Sequence, residues 1–414
     1  MRPYPDLAPH GGITLMLSLF RFMRQRLIPL LLVCLLARGL SASAKTPDPH
    51  APERTSVPTA PVSSAKAAIL LNGTTGDVYC EKNSDLRLPM ASTTKIMTAL
   101  VAVESMPLDT LVTVTPEAVG IEGSSVYLYA GETLTLRTLL YALLLESAND
   151  AAVAIAVAVS GSVEAFSEEM NARAQALGLS DSHFENPHGL DSEGHYTTAH
   201  DLARITAAAL ADETLREIVS TYRITVPQRE TDGVRLFINH NRLLRTYDGC
   251  IGVKTGYTRR SGRCLVSAAE RDGLLLIAVT LNASDDWNDH AALLDYGFSR
   301  YTSVPLTESG RISYTLPVLN GIIPTATVSY ETEDGLPPSA VLPIDHGEIK
   351  VTVLLPRHLW GDYERGDTVG SIVFSLDGDL FLELPLTLDT EVRGIPYTPG
   401  IVRRVRAFFR KDRS

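Results

Sequence analysis

The chain has 414 residues, 45% of them hydrophobic and 21% charged, with a formal net charge of -11. That length and apolar fraction suffice for one large domain and a smaller second one. The acidic balance excludes nucleic acid as a partner of the body of the protein, and no internal repeat is evident.

The N-terminus reads as an export signal. Arg21, Arg24 and Arg26 precede a short apolar run, Leu27 to Leu36, interrupted by Pro29 and followed by Ala42-Ser43-Ala44. This is the charged, apolar, small-residue order of a cleavable signal peptide, and about ten apolar residues are too few to span a bilayer. Residues 1–44 are assigned to it, with the mature chain starting near Lys45 and translation starting at Met1, Met16 or Met23. Val33 before Cys34 is not the small residue a lipoprotein anchor needs. The segment holds five Arg and one Asp, so its removal leaves a charge of about -15. Residues 45–64 carry Pro47, Pro49, Pro52, Pro58 and Pro61 among Ser, Thr and Ala. Such a stretch buries too little apolar surface to offset its ordering entropy, and it is expected to be a flexible tether.

From Ala65 the pattern becomes that of a folded domain. Ala67 to Leu71 and Asp77 to Glu81 predict a hairpin around Asn72-Gly73-Thr74-Thr75-Gly76. Helices are expected from Ile96 to Val103, Leu134 to Glu146, Asp150 to Val159, Val163 to Leu177 and Thr198 to Ala211. Strands are expected at Val253 to Tyr257, Cys264 to Ala269 and Leu274 to Leu281, with a closing helix from Ala291 to Tyr301. Helices between flanking β segments predict an α+β domain, helices packed on an antiparallel sheet, over residues 65–301. Without Cys34, three cysteines remain. Cys250 and Cys264 flank one hairpin, so either they pair or all three are small buried thiols.

Three motifs in this domain carry chemistry. Ser92-Thr93-Thr94-Lys95 opens an apolar helix, and a lysine three residues after a serine lies one turn further along the same face, within reach of its hydroxyl. Positive potential at a helix N-terminus disfavours a protonated lysine and favours a base that activates the serine. Ser147-Ala148-Asn149 follows between two helices, and Lys254-Thr255-Gly256 follows on a strand. Each triplet alone is an ordinary turn or strand end; the ordered trio is the set a serine acyltransferase needs.

With Gly123-Ser124-Ser125, Glu146 to Ala152, Asn239-His240-Asn241-Arg242-Leu243-Leu244 and Gly252 to Thr258, the chain resembles the low-molecular-mass penicillin-binding proteins, the D-alanyl-D-alanine carboxypeptidases of peptidase family S11. The resemblance covers roughly Ala65 to Tyr301 and continues more loosely toward residue 390. It implies the fold shared with serine β-lactamases, and a reaction that trims the terminal D-alanine from peptidoglycan pentapeptides through an acyl-enzyme. β-Lactam antibiotics would then be covalent inhibitors, and no cofactor or metal is expected. By the same resemblance Ser92 is the nucleophile, Lys95 its base, and Ser147 a proton relay beside Lys95. Asn149 holds the substrate backbone, while Lys254 and Thr255 bind its terminal carboxylate. Gly256 lets the peptide lie along the strand edge, and the backbone N–H groups of Ser92 and Tyr257 form the oxyanion hole. One departure stands out: where the family often has an Arg before an aromatic, this chain has Asp286-Trp287. If that Arg binds the carboxylate in relatives, the task is lost or moved here, and Lys254 would carry more of it.

His183, His188, His195 and His200 are spaced by five, seven and five, unlike the i, i+4 pair of a zinc hydrolase. The stretch His183 to Leu190 resembles instead a family loop near the active site. Residues 302–393 read as a small all-β domain, with strands at Ile312 to Leu316, Ala326 to Tyr330, Ile349 to Leu355, Ser371 to Leu376 and Leu380 to Leu386. In the tail, 394–414, Ile401, Val402, Val405, Phe408 and Phe409 share one helical face amid six basic residues. That pattern suits an anionic membrane surface and places the protein at the outer face of the cytoplasmic membrane or in the cell wall. The rival readings are a β-lactamase, which needs a deacylating carboxylate such as Glu185, and a silent cell-wall-binding protein.

Overall fold

The computed structural model describes residues 60–228 and 233–395. The expected signal segment, most of the expected linker and residues 396–414 of the expected tail lie outside the described residues.

Strands β1 (Ala67–Asn72) and β2 (Val78–Lys82) form the expected hairpin. Asn72 Oδ1 accepts from the N–H groups of Thr74 and Thr75 at 2.8 and 3.1 Å, and Gly76 supplies a φ of +79°. A 3-10 turn, Ala91–Thr94, runs directly into α1 (Lys95–Ser105), so Ser92 sits in a tight turn before the α-helix and not within it. The small ribbon β3 (Leu111–Thr113) and β4 (Thr133–Thr135) precedes α2 (Leu136–Leu145), α3 (Asn149–Ser160), α4 (Val163–Ala176), α5 (Ala199–Leu210) and α6 (Glu213–Ser220). Thr135, Ser162, Thr198 and Asp212 cap α2, α4, α5 and α6 by accepting from the third residue on, which is why these helices begin where they do. Gly161 ends α3 in the left-handed conformation.

A second ribbon, β5 (Arg223–Pro227) and β6 (Val234–Ile238), and the short α7 (Leu243–Thr246) lead to three long strands. These are β7 (Cys250–Thr258), β8 (Gly262–Arg271) and β9 (Leu274–Ala283), after which α8 (Asp286–Arg300) closes the domain. The central sheet has the order β2-β1-β9-β8-β7 and is antiparallel throughout, leaving β7 as an edge. Its period-two alternation divides the core. Ile69, Leu71, Ile277, Val279 and Leu281 face the helical layer of α1 to α6, whereas Leu70, Leu274, Leu276 and Ala278 meet Leu293 and Leu294 of α8. Burying each such side chain is worth about 1.5–3 kcal/mol, so a polar residue at Ile277 would open one layer and at Leu276 the other.

The α+β expectation holds, with three differences. Helix α8 starts five residues before the expected Ala291, its first turn holding Asp286 and Asp289 against the helix dipole. Helix α6, the short α7 and the ribbons β3/β4 and β5/β6 are additions, with Leu134 in β4 and not in the expected helix, although Asp212 followed by Leu215, Ile218 and Val219 is a legible cap and apolar face. The tether is held before its expected end at residue 64: Ser63 Oγ donates to Asp289 Oδ2 at 3.1 Å and Ser64 N to Asp289 Oδ1 at 2.9 Å. Of the two cysteine alternatives the unpaired one holds: Cys80, Cys250 and Cys264 are free thiols, the first two half-buried and only Cys264 buried. Cys250 pairs with Ala269 and Cys264 with Gly256 in the β7/β8 ladder, too far apart along the strands to bridge.

After α8 the chain enters β10 (Tyr301–Pro305), β11 (Arg311–Leu319), β12 (Thr325–Glu331), β13 (Ser339–Pro343), β14 (Ile349–Leu354), β15 (Leu359–Trp360), β16 (Thr368–Leu376) and β17 (Asp379–Leu388). The five expected strands are β11, β12, β14, β16 and β17. They form a sheet of order β14-β16-β17-β12-β11-β15 over a core that includes Val328, Phe374, Leu386 and Leu388, while β10 pairs with β13.

Candidate active site

The site forms where the 3-10 turn, the α2–α3 junction, the loop from His183 to His195 and the edge strand β7 meet. Lys95 is the centre: it is fully buried, and its amine contacts three oxygens. Ser92 Oγ lies 2.9 Å away, Asn149 Oδ1 2.7 Å and the His188 carbonyl 2.6 Å. Two of these partners are carbonyl oxygens, which only accept. They therefore take both N–H bonds of a neutral amine and leave its lone pair for the Ser92 hydroxyl. Burial, then the nearby Lys254, pushes the Lys95 pKa well below its ordinary value, opposed in part by Asp150. An uncharged amine facing a serine hydroxyl can take its proton.

The surroundings hold that geometry. Asn149 Nδ2 donates to the Glu122 carbonyl at 2.5 Å, which turns Oδ1 toward Lys95. The buried Asp150 carboxylate accepts from Ser125 Oγ at 2.6 Å and from the N–H groups of Leu128 and Val126 at 3.0 and 3.3 Å, tying the Gly123–Tyr129 loop to α3. Gly189, at φ +89°, packs so closely on the nucleophile turn that a Cβ there would lie 1.9 Å from the Ala91 carbonyl. Only glycine lets this loop bring the His188 carbonyl to Lys95. His195 Nδ1 accepts from Glu185 N at 3.0 Å, so Nε2 carries the hydrogen and donates to Thr94 Oγ1 at 2.8 Å; Thr94 in turn donates to the Ala91 carbonyl at 2.8 Å. Burial lowers the His195 pKa to about 4 and that of His188 to about 3, so both are neutral at physiological pH.

On the other side, Gly256 brings β7 against the nucleophile turn: a Cβ there would stand 3.1 Å from Ser92 N and from the Met90 carbonyl. Lys254 is 1% exposed, its Nζ donating to the Thr255 carbonyl at 2.9 Å, and burial alone lowers its pKa to about 7. Tyr257, by contrast, is 67% exposed at the open edge.

The structure thus gathers Ser92, Lys95, Asn149, Lys254 and Gly256 around one point, with two differences from expectation. The Ser147 hydroxyl is not among the three groups bonded to the Lys95 amine. Ser147 has φ +61°, is 6% exposed, and makes no side-chain hydrogen bond among the described residues. The Asn149 side chain, expected on the substrate backbone, is occupied by Lys95 and Glu122. Sequence reasoning places the histidine-rich loop at the site but passes over the roles of the His188 carbonyl, Gly189 and the Thr94–His195 pair; the Gly after His188 is the available signal. Among the described residues no group of three or more His, Cys, Asp or Glu side chains could hold a metal ion. Glu185 is exposed, its carboxylate bonded to Ser192 Oγ and to Gly194 N at 3.2 Å within its own loop.

A helix-and-antiparallel-sheet domain with a serine on a turn beside a buried lysine amine, facing a Lys-Thr-Gly edge strand, has the arrangement of a serine acyl-transferring enzyme of penicillin-binding-protein type. Residues 54–285 match the model of the peptidase S11 family, D-alanyl-D-alanine carboxypeptidase. The carboxypeptidase DacF of Bacillus subtilis is 32% identical over 80% of this chain and 86% of its own, and DacA of Escherichia coli K12 31% over 86% and 90%. Among solved structures, penicillin-binding protein 5 of Haemophilus influenzae covers 81% of this chain and 99% of its own at 27% identity, with a TM-score of 0.65. The Streptomyces K15 DD-transpeptidase covers 58% and 99% at 33% identity, with a TM-score of 0.55. The chain belongs to the D-alanyl-D-alanine carboxypeptidases of peptidase family S11, and it is a hydrolase of the penicillin-binding-protein type.

Proposed function

We propose that in this carboxypeptidase Ser92 attacks the carbonyl of the penultimate D-alanine of a peptidoglycan stem peptide, with neutral Lys95 taking its proton. The observation that carries this is the pair of carbonyl acceptors, Asn149 Oδ1 and His188 O, which direct the Lys95 lone pair at Ser92 Oγ. The acyl-enzyme forms as the terminal D-alanine leaves, and water then releases the shortened peptide. Ser92 N and Tyr257 N are assigned to the oxyanion, where such donors are typically worth about 3 kcal/mol each in the transition state. The approach of Gly256 to Ser92 N supports that assignment. Asn149 acts through Lys95, and Ser147 is assigned to the leaving amine. Lys254 supplies positive potential and Thr255 a hydroxyl for the substrate carboxylate. β-Lactams acylate Ser92 by the same route.

In this reading residues 1–44 direct export and 45–62 tether a catalytic domain that extends to 301, followed by a β domain to 393. The basic tail, 394–414, holds the enzyme at an anionic membrane surface facing the cell wall. Its charge pattern supports that role; among the described residues no single helix is long and apolar enough to cross a membrane. The test is D-alanine release from a pentapeptide ending in D-Ala-D-Ala, with fluorescent penicillin labelling, for the mature chain and Ser92→Ala. Loss of both in the variant establishes the nucleophile, and labelling without release in the parent would redirect the reaction to another acceptor.

A further inference from the structure

The substrate in the proposed reaction ends in a free carboxylate, and the structure leaves Lys254 poorly placed to receive it. Along β7 the Lys254 side chain and the position a Cβ would take at Gly256 lie on the face turned to the Ser92 turn and Lys95. Thr255 and Tyr257 point to the opposite face. In the β7/β8 ladder Tyr257 pairs with Arg263 and Thr255 with Leu265, so Arg263 shares the face of Thr255 and is its diagonal neighbour. Such neighbours stand about 7–8 Å apart, within reach of a long side chain.

Arg263 is held and yet open. Its guanidinium donates to the Ser284 carbonyl, and its Nε lies 3.6 Å from Asp286 Oδ1. Nη1 makes no hydrogen bond among the described residues, and the side chain is 49% exposed. Asp286 is 6% exposed, its Oδ1 accepts no hydrogen bond among the described residues, and Arg263 is the cation that faces it there. The residue that departs from the family pattern at the start of α8 therefore has an Arg from the adjacent strand as its partner.

We propose that Arg263 binds the terminal carboxylate of the substrate beside the Thr255 hydroxyl, and that Asp286 is the positioning residue that orients it. This deepens the carboxypeptidase reading and rests on it. A planar guanidinium suits a carboxylate better than a buried ammonium does, because it presents parallel N–H donors. Ser284 and Asp286 hold the guanidinium on the β9 side of β8, and Nη1 is the group that turns toward β7 when a carboxylate arrives.

The experiment compares acylation of the mature enzyme by benzylpenicillin and by its methyl ester, which lacks the charge, with covalent mass as the readout. The parent is expected to favour the acid, and Arg263→Ala to lower the acid rate by about 10- to 100-fold, the usual range for a hydrogen bond to a charged group, while leaving the ester rate unchanged. Arg263→Lys is expected to recover part of the preference, and Asp286→Asn to lower it less than Arg263→Ala. A loss of equal size on both compounds would make Arg263 merely structural and overturn the proposal, as would an unchanged preference. A parent that acylates with neither compound would instead overturn the serine-acylation reading itself, and the proposal with it.

Discussion

Replacing Asn149 with Asp tests the state of Lys95 directly. The substitution is nearly isosteric but puts a titratable carboxyl 2.7 Å from the Lys95 amine, where a neutral carbonyl now sits. An opposite charge at that range raises a lysine pKa by about 1–3 units, and the two groups then titrate as a pair. Whether the shared proton rests on nitrogen or oxygen, the amine lone pair is no longer free for Ser92. Below the new pKa the reactive fraction falls by about 10- to 1000-fold, equivalent to about 1.4–4 kcal/mol. The loss should disappear as pH rises and the pair releases its proton. The assay is the second-order rate of fluorescent penicillin acylation from pH 5 to 10 for the parent, Asn149→Asp and Asn149→Ala. The Asp variant is expected to shift the acid limb upward by about 1–3 units, whereas the Ala variant should lose rate at every pH because the amine loses a positioning acceptor. An Asp variant whose limb coincides with that of the parent would refute Lys95 as the group that takes the serine proton.

The opposite shift is expected for Asp150→Asn: Asp150 raises the Lys95 pKa, so removing its charge should move the acid limb down, while calorimetry records a loss of about 1–3 kcal/mol from weakened bonds to Ser125 and Leu128. Gly189→Ala forces a Cβ toward the Ala91 carbonyl at a φ of +89°, and should cost at least about 1–2 kcal/mol of backbone strain and most of the penicillin labelling; full labelling with unchanged Tm would contradict the close packing. His188, His195 and His290 have folded pKa values lowered to about 3, 4 and 3 by burial. A histidine depressed in this way contributes stability above its unfolded pKa of about 6.5 and loses it as pH falls toward the folded value, so urea midpoints should drop steadily from pH 6.5 to 4. A chain ending at Gly400 is expected to bind anionic vesicles more weakly than the full mature chain in a flotation assay, and equal binding would remove the tail from the anchoring role.

Much of this enzyme is legible in one dimension. Lys95 follows Ser92 by one turn, and the apolar run behind it requires a buried helix, so the meeting of amine and hydroxyl is a local consequence of backbone geometry. The same holds for the alternation in β1 and β9 and for the caps at Thr135, Thr198 and Asp212, which depend on neighbours a few residues away. The three chemical motifs also identify the family, because their residue types and order are read without coordinates.

What the sequence cannot state is which groups from distant segments share a face or an acceptor. Asn149 and His188 lie 54 and 93 residues beyond Lys95, and only folding shows that their carbonyls, in place of the Ser147 hydroxyl, occupy both N–H bonds of the amine. Asp286 reads as a lost arginine until the β8/β9 register, which pairs Arg263 with Ala283, sets Arg263 beside it. Lys254 reads as an open cation until its burial is seen. Spacing along a chain determines the contacts that a helix or strand makes within itself, whereas charge state and orientation depend on desolvation and on partners brought together from many elements, and these exist only once the layers have packed.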